Sequence, residues 1–242
     1  MDILLTNDDG YDAPGLAAAY QALTSLGTVH VVAPAKERSA CSHSISLYRP
    51  ISVERTDYGR FGTIHIVDGT PADCVRLAIA ELIDRPIGLV VAGINRGANT
   101  GVDTFYSGTI AGAREATILG FPAMAVSQAI RDGIEINWSA AAKTTTKLIV
   151  QLQAEALPAA GFWSINLPAP IPPDPEQHIH RVEPAVETAP LSFERSERDG
   201  EPFAEFRYGK SYWERSVSEP SDFSVVRDGG IAITAVPLFG RF

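Results

Sequence analysis

Cysteine is scarce in this 242-residue sequence, which contains only Cys41 and Cys74. Their wide separation gives neither a disulfide framework nor a Cys-x-x-Cys metal pair. No basic segment followed by an apolar stretch lies near residue 1, and no uninterrupted apolar run is long enough to span a bilayer. We therefore expect a protein of the reducing cytoplasm, and these absences argue against export and against a membrane partner.

Basic residues are also few. The sequence contains 20 Lys and Arg against 29 Asp and Glu, which gives a formal net charge of -9. A protein that binds nucleic-acid polymers through their phosphates would need a basic patch against this overall field, and the sequence shows none. Small anionic substrates remain compatible with this charge, because a bound cation reverses the potential locally. The composition thus argues against a nucleic-acid partner and points towards a metal ion.

Several nucleotide and hydrolase motifs are absent. The sequence has no Gly-x-x-x-x-Gly-Lys-Ser/Thr, and its glycines between residues 93 and 101 do not match the dinucleotide fingerprint that follows a strand. A Gly-x-Ser-x-Gly nucleophile elbow is missing as well. These absences argue against a kinase, a dehydrogenase and a serine hydrolase.

Predicted strands and helices alternate along most of the chain, within a composition of 45% hydrophobic and 20% charged residues that is ordinary for a globular protein. This alternation predicts an α/β fold with a mostly parallel sheet and helices on both of its faces. Apolar runs predict strands at residues 3–6, 29–33, 64–67, 89–92, 123–126, 163–167 and 231–236. Helical spacing predicts helices at residues 14–27, 70–82, 109–119 and 140–152.

The sequence changes character after Pro168, where a proline-rich stretch is followed by charged, less periodic sequence. We therefore expect an extended arm or hairpin region over about residues 168–219. Residues 1–128 are expected to form a metal- and phosphate-binding core, and residues 129–242 to complete the sheet. The arm is rich in aromatics suited to a subunit interface, namely Phe203, Phe206, Tyr208, Tyr212 and Trp213.

Polar side chains follow three of the predicted strands. Asp8 and Asp9 follow the first strand, Ser39 follows the second, and Asn95 and Asn99 follow the fourth. Ligands of open α/β sheets bind beyond the carboxyl ends of the strands, so these five residues are expected to converge at one edge. Carboxylates, a hydroxyl and an amide carbonyl are hard oxygen donors that suit magnesium, manganese or calcium.

A simpler interpretation of the same residues is open. Asn7-Asp8-Asp9-Gly10 has the composition of a turn, because Asn and Asp satisfy their own backbone and glycine accepts a positive φ. Ser39, Asn95 and Asn99 are also ordinary turn or cap residues when each is taken alone. The position of the two aspartates favours a site, since adjacent carboxylates at the end of a buried strand repel each other unless a cation or donors compensate.

A helix start at Ser107-Gly108-Thr109 offers free backbone N–H groups and two hydroxyls, which together can hold a phosphate. The alternative is an ordinary Ser/Thr cap. The start at Thr70 is interpreted as a cap, because Asp73 follows three residues later.

Five ordered segments resemble the SurE survival-protein family, at residues 5–15, 32–39, 69–75, 93–99 and 106–109. The first reads Leu-Thr-Asn-Asp-Asp-Gly-Tyr-Asp-Ala-Pro-Gly and the last Tyr-Ser-Gly-Thr. The resemblance implies a Rossmann-like, three-layer metallophosphatase acting on nucleoside 5'- and 3'-monophosphates, with some activity on short polyphosphate. It also implies a metal set of Asp8, Asp9, Ser39 and Asn95, and a phosphate pocket of Asn99, Ser107, Gly108 and Thr109.

On this interpretation one Mg²⁺ or Mn²⁺ ion is the cofactor, and Asp8, Asp9 and Asn99 are catalytic. A nucleotide is the substrate, and a homodimer or homotetramer is expected. Two alternatives stay open. A haloacid-dehalogenase-type phosphatase would form a phosphoaspartate, although its second acid would lie two residues after the first. A non-catalytic nucleotide- or metal-binding protein would keep the site without turnover.

Overall fold

The computed structural model describes residues 1–155, 160–188, 191–197, 204–209 and 212–238. Its strands are β1 (Asp2–Thr6), β2 (Thr28–Pro34), β3 (Val53–Asp57), β4 (Thr63–Val67), β5 (Ile87–Arg96), β6 (Ala123–Gln128), β7 (Gly161–Leu167), β8 (Ile179–Arg181), β9 (Phe193–Glu197), β10 (Ala204–Tyr208) and β11 (Ile231–Pro237). Its α-helices are α1 (Pro14–Thr24), α2 (Pro71–Leu77), α3 (Gly108–Ile118), α4 (Trp138–Gln153) and α5 (Asp222–Arg227).

Nine strands form the main sheet in the order β3-β4-β2-β1-β5-β6-β7-β11-β8. The six strands from β4 to β7 in this order are parallel, whereas β3 and β11 run antiparallel to their neighbours β4 and β7. The chain passes from β1 to one side of the sheet and returns to place β5 on the other side of β1. The carboxyl ends of β1 and β5 therefore meet at a topological switch point, where α/β sheets bind their ligands.

Helices cover both faces of the sheet. Successive strand residues point to opposite faces, and Leu5 packs in one buried cluster with α1 and α4, whereas Leu4 packs in another with α2 and α3. Within each layer the two helices contact each other, α1 with α4 and α2 with α3. This three-layer arrangement confirms the predicted Rossmann-like α/β class. No helix in the described ranges is long and apolar enough to cross a membrane.

All seven predicted strands and all four predicted helices are present, within a few residues of the expected bounds. The cap at Thr70 is confirmed, because its hydroxyl accepts from the Asp73 N–H and the Asp73 carboxylate accepts from the Thr70 N–H. The predicted hairpin region contains the antiparallel pair β9–β10. The expected arm also supplies β8, which pairs with β11 in the main sheet. Phe203 lies outside the described residues, and the division at residue 128 stays a prediction.

Candidate active site

The two aspartates lie at the switch point of the sheet. Asp8 and Asp9 follow β1 directly, and Asn95 is close to the end of the neighbouring β5. The parallel register pairs Thr6, the last residue of β1, with Ala92 of β5. The sequence predicted Asn95 in the loop after this strand, whereas β5 continues to Arg96 and includes Asn95, because it still pairs with β6 there. The fold therefore brings the loop that carries the carboxylates next to the last residues of β5.

Asp8 is buried beneath the start of α3. Its side chain accepts a hydrogen bond from the Thr109 hydroxyl, and a methyl group added to Gly108 would come within 2.8 Å of the Asp8 carboxylate. Burial raises the pKa of Asp8 to about 6, while the Thr109 hydroxyl lowers it and the charge of Asp9 raises it further. Glycine at position 108 is thus what lets the first turn of the helix rest on the carboxylate.

Asp9 is only half-buried, and its carboxylate is held by the backbone of β5. The Arg96 backbone N–H donates a hydrogen bond of 2.9 Å to Asp9 Oδ2. Burial raises the pKa of Asp9, the Arg96 N–H lowers it, and the charge of Glu37 raises it. Both carboxylates therefore lose stability in their charged forms when no cation is near, which is the electrostatic condition that favours cation binding.

Ser39 and Asn95 use only part of their bonding capacity. The exposed Ser39 hydroxyl donates to Glu37 Oε1 at 2.7 Å, and a hydroxyl that donates keeps its lone pairs for a second partner. The Asn95 amide nitrogen donates to the Gly97 carbonyl at 2.9 Å, so its amide oxygen is the atom that a cation would bind. Oxygen donors of this kind fit a hard divalent cation.

The described residues contain no group of three or more His, Cys, Asp or Glu side chains arranged for a metal ion. A zinc-type site of histidines and cysteines is therefore absent from this part of the chain. The predicted set has a different composition, with two carboxylates, a hydroxyl and an amide. Its donor chemistry fits one Mg²⁺ or Mn²⁺ ion.

The Asn99 side chain is held by the ends of two other strands. Its Nδ2 donates to the Ser127 hydroxyl at 2.8 Å, and its backbone N–H donates to Asn166 Oδ1 at 2.8 Å. Asn166 in turn donates to the Asn99 carbonyl at 3.1 Å. The structure thus anchors Asn99 at the ends of β6 and β7, with no hydrogen bond to the carboxylate pair.

Ser107 is the N-cap of α3, because its hydroxyl accepts from the Ile110 N–H at 3.1 Å. The Thr109 N–H in the first turn donates to the Asp8 carboxylate, and the Gly108 N–H lies beside it at the helix start, where helices bind anions. The cap and the phosphate interpretation are therefore compatible. The sequence did not indicate the hydrogen bond that Thr109 forms. Its hydroxyl donates to the Asp8 carboxylate and is not directed at solvent.

A short 3₁₀ segment, Gly101–Phe105, joins Asn99 to Ser107, and C-terminal residues hold it in place. The Gly101 N–H donates to Asp222 Oδ2 at 2.7 Å. Asp103 accepts from the Tyr212 hydroxyl at 2.9 Å and from Arg215 at 2.8 Å. The carbonyl of Asp103 accepts the Ser107 N–H at 3.0 Å. The C-terminal part of the chain therefore fixes the approach to the phosphate site.

Sequence reasoning missed four residues that support the site, namely Glu37, Arg96, Asp103 and Asn166. Two weak signals were present. Glu37 lies two residues before Ser39, and Asn166 is a polar residue inside an otherwise apolar strand. Such a residue in a buried strand needs a partner, and its position near the carboxyl end of β7 was the available hint.

Comparison with known proteins gives one consistent result. The family model of the survival protein SurE matches residues 3–190. The chain is 41% identical to the 5'-nucleotidase SurE of Geotalea uraniireducens, over 98% of this chain and 93% of that protein. It is 37% identical to the 5'-nucleotidase SurE of Methylococcus capsulatus, over 98% and 92%. The crystal structure of the Sure protein from Aquifex aeolicus superimposes with a TM-score of 0.82 at 32% identity, covering 99% of this chain and 94% of that one.

Proposed function

The chain belongs to the SurE family, and from this premise we propose that it is a divalent-metal-dependent 5'-nucleotidase that hydrolyses nucleoside monophosphates. The nucleotidase part is supported by similarity to 5'-nucleotidases along almost the whole chain. The metal-dependent part is supported by one observation above all. The start of α3 rests on the buried Asp8 carboxylate through Gly108 and the Thr109 hydroxyl, so an anion-binding helix start and a candidate cation ligand are in contact.

We propose that Asp8, Asp9, Ser39 and Asn95 hold one Mg²⁺ or Mn²⁺ ion. Such an ion, when bound, polarises a phosphoryl oxygen and lowers the pKa of a bound water. Asp8 is kept in position by Thr109, and Asp9 by the Arg96 N–H. Because these bonds preset both carboxylates, little reorganisation is needed when the substrate arrives.

The phosphate would lie beside both the carboxylate pair and the helix start. The Gly108 N–H and the Ser107 hydroxyl stabilise charge on the phosphoryl oxygens, and Asn99 contributes from the neighbouring loop, while Thr109 holds the Asp8 carboxylate in place. One of the two aspartates accepts the proton of the attacking water. The same arrangement would accept 3'-monophosphates and short polyphosphate, which we include in the proposal as secondary substrates.

The test is a phosphatase assay with a panel of nucleotides and metals. We expect hydrolysis of nucleoside 5'-monophosphates to be lost in excess chelator and restored by Mg²⁺ or Mn²⁺, with no trapped phosphoenzyme. Full activity in chelator would overturn the metal mechanism. A trapped phosphoaspartate would favour the dehalogenase-type route, and nucleotide binding without turnover would favour a non-catalytic protein.

Two further properties stay proposals. We propose a cytoplasmic location, which is supported by the two free cysteines. We also propose a homodimer or homotetramer assembled through the arm, which is supported by exposed aromatics on the β9–β10 hairpin, such as Tyr208 at 79% exposure.

A further inference from the structure

A cavity of about 320 Å³ opens directly beside Asp9 and Ser39. This volume lies at the lower end of the range found for small-molecule sites. The start of α1 and Trp138, the first residue of α4, also line this cavity. We call it the Trp138 cavity. Because two proposed metal ligands form part of its wall, a phosphate ester held by that metal set would have the Trp138 cavity next to its scissile bond.

We propose that the Trp138 cavity receives the nucleoside part of the substrate and that its acidic rim selects an uncharged leaving group. The proposal rests on the proposed nucleotidase function and extends it, because it assigns a subsite for the leaving group and a preference among phosphate compounds.

The apolar wall of the cavity suits a nucleobase. The Trp138 ring packs so closely on α1 that a methyl group at Gly15 would lie 3.1 Å from its Cη2. Ala13 and Pro14 continue this surface. Aromatic side chains stack on nucleobases whatever the base, because every base has a π-face. A preference for nucleosides over smaller leaving groups is therefore expected from this wall.

The negative charge at the rim of the Trp138 cavity is what would select among leaving groups. Asp12 and Glu37 line the Trp138 cavity and lie outside the proposed metal set. Among the described residues that line the cavity, Arg96 is the only cationic one. Apart from the proposed metal ligands, the lining therefore carries two carboxylates and one guanidinium. A leaving group that carries a phosphate would be disfavoured at this rim relative to a nucleoside, which agrees with short polyphosphate being only a secondary substrate.

A second cavity of about 260 Å³ is lined by Gly97 and Ala98, which follow β5. It is lined by another tryptophan, Trp213, but by none of the proposed metal ligands. Its indole already stacks with the Arg131 guanidinium, whose carbon lies 3.9 Å from the ring centroid, and its Nε1 donates to the Ile130 carbonyl. The Trp138 cavity is therefore the better subsite, and Trp213 provides a matched control.

The experiment compares Trp138→Leu with Trp213→Leu on two esters with uncharged leaving groups, a nucleoside 5'-monophosphate and glycerol phosphate. Trp138→Leu should raise KM for the nucleotide roughly ten-fold and KM for glycerol phosphate at most about two-fold, because loss of one base stack has this magnitude. Trp213→Leu should not separate the two esters. Equal losses on both esters with Trp138→Leu, or a nucleotide-selective loss with Trp213→Leu, would overturn the subsite.

The charge selection is tested with Asp12→Asn, using a nucleoside 3',5'-bisphosphate against the 5'-monophosphate. The ratio of kcat/KM for bisphosphate to that for monophosphate should rise roughly three- to five-fold at low salt. If the bisphosphate turns over too slowly, its inhibition constant against the monophosphate should fall by the same factor. An unchanged ratio would overturn the selection. Failure of the wild-type protein to hydrolyse either ester would instead overturn the proposed function, so the two failures are distinguishable.

Discussion

The Thr109 hydroxyl, on the first turn of α3, donates a hydrogen bond to the carboxylate of Asp8, which follows β1. The bond joins the candidate phosphate site to the candidate metal site. It also opposes the effect of burial on the pKa of Asp8, because a hydrogen bond to the charged form favours that form.

Replacement of Thr109 by Val should remove this bond at nearly constant volume. We expect turnover to fall about ten-fold or more, since hydrogen bonds to charged groups contribute about 1.5–3 kcal/mol. The acidic limb of the pH–rate profile should also move to higher pH, because the pKa of Asp8 rises. Thr109→Ser, which keeps the hydroxyl, is the control and should restore both values. An unchanged profile in the Val variant would remove the Thr109–Asp8 bond from the mechanism.

The raised pKa of Asp8 predicts how the stability of the metal-free protein depends on pH. The pKa of Asp8 is about 6 in the folded protein, against 3.8 for an ordinary aspartate, so between these two pH values the native state holds a proton that the unfolded chain has lost. The contribution of Asp8 to stability is therefore fully present below about pH 4 and is lost as pH rises through 6.

Asp8→Asn should remove this dependence. In chelator, the free energy of unfolding of the variant minus that of the wild type should grow by roughly 3 kcal/mol from pH 4 to pH 7. Chemical denaturation at several pH values measures it. A difference that stays flat over this pH range would show that burial does not perturb this carboxyl.

Asp9→Asn separates a metal site from a simple turn. The variant keeps an oxygen that can accept the Arg96 N–H, but it removes one negative charge from the proposed cation site. We expect metal affinity and turnover to fall together, with turnover reduced roughly 100-fold or more. Thermal melts with and without Mn²⁺, paired with nucleotide hydrolysis rates, check it. Near wild-type turnover with an unchanged metal response would exclude Asp9 from the site.

The alternating core could be predicted from the sequence because it follows from local patterns, and the candidate site stays a prediction made from the same patterns. Apolar runs fix the buried strands, and polar loops after parallel strands meet at one edge. The edge strand β3 was not predictable in this way. Its Val-Glu-Arg-Thr-Asp sequence is mostly exposed and forms a strand because it pairs with β4, which is a tertiary effect.

The supports of the site were also out of reach of local patterns. Asp222 binds the Gly101 N–H across 121 residues of sequence, and Asn166 binds Asn99 across 67. No periodicity or local motif predicts either of these two long-range contacts. The helix start at Ser107 was recognisable as a cap, but the bond from Thr109 to Asp8 depends on how α3 packs against β1 and so required the fold.

Among the residues that hold the segment before α3, Arg215 is expected to contribute most to the free energy of unfolding. Its side chain is 1% exposed and is paired with Asp103, and it also stacks on Tyr212 and Phe223. Arg215→Met keeps the stem but leaves the Asp103 carboxylate without this partner. We expect a loss of about 3 kcal/mol in the free energy of unfolding, measured by denaturant titration. Turnover should fall as well, because the Asp103 carbonyl holds the Ser107 N–H.

The control for this prediction is Arg227→Met, since Arg227 forms its ion pairs with Glu219 and Asp228 at the surface. Exposed pairs contribute about 0–1 kcal/mol, so this variant should be nearly neutral. Equal stability losses in the two variants would contradict a larger contribution from the buried Arg215–Asp103 pair.

The arm gives the last prediction, because four of its aromatics in the described ranges form two groups. Tyr212 and Trp213 pack on Phe223 of the same chain, with ring centroids 5.5 and 5.7 Å apart. Phe206 and Tyr208 on the β10 strand are instead 61% and 79% exposed, so they are the candidates for a subunit contact. The double variant Phe206→Ser/Tyr208→Ser should therefore lower the molar mass of an oligomeric wild type to that of a monomer, as measured by light scattering at micromolar concentration. Tyr48→Ser, at a fully exposed tyrosine on another loop, should leave the mass unchanged. A monomeric wild type would reject the interface, and an oligomer that survives the double change would move the contact away from the β9–β10 hairpin.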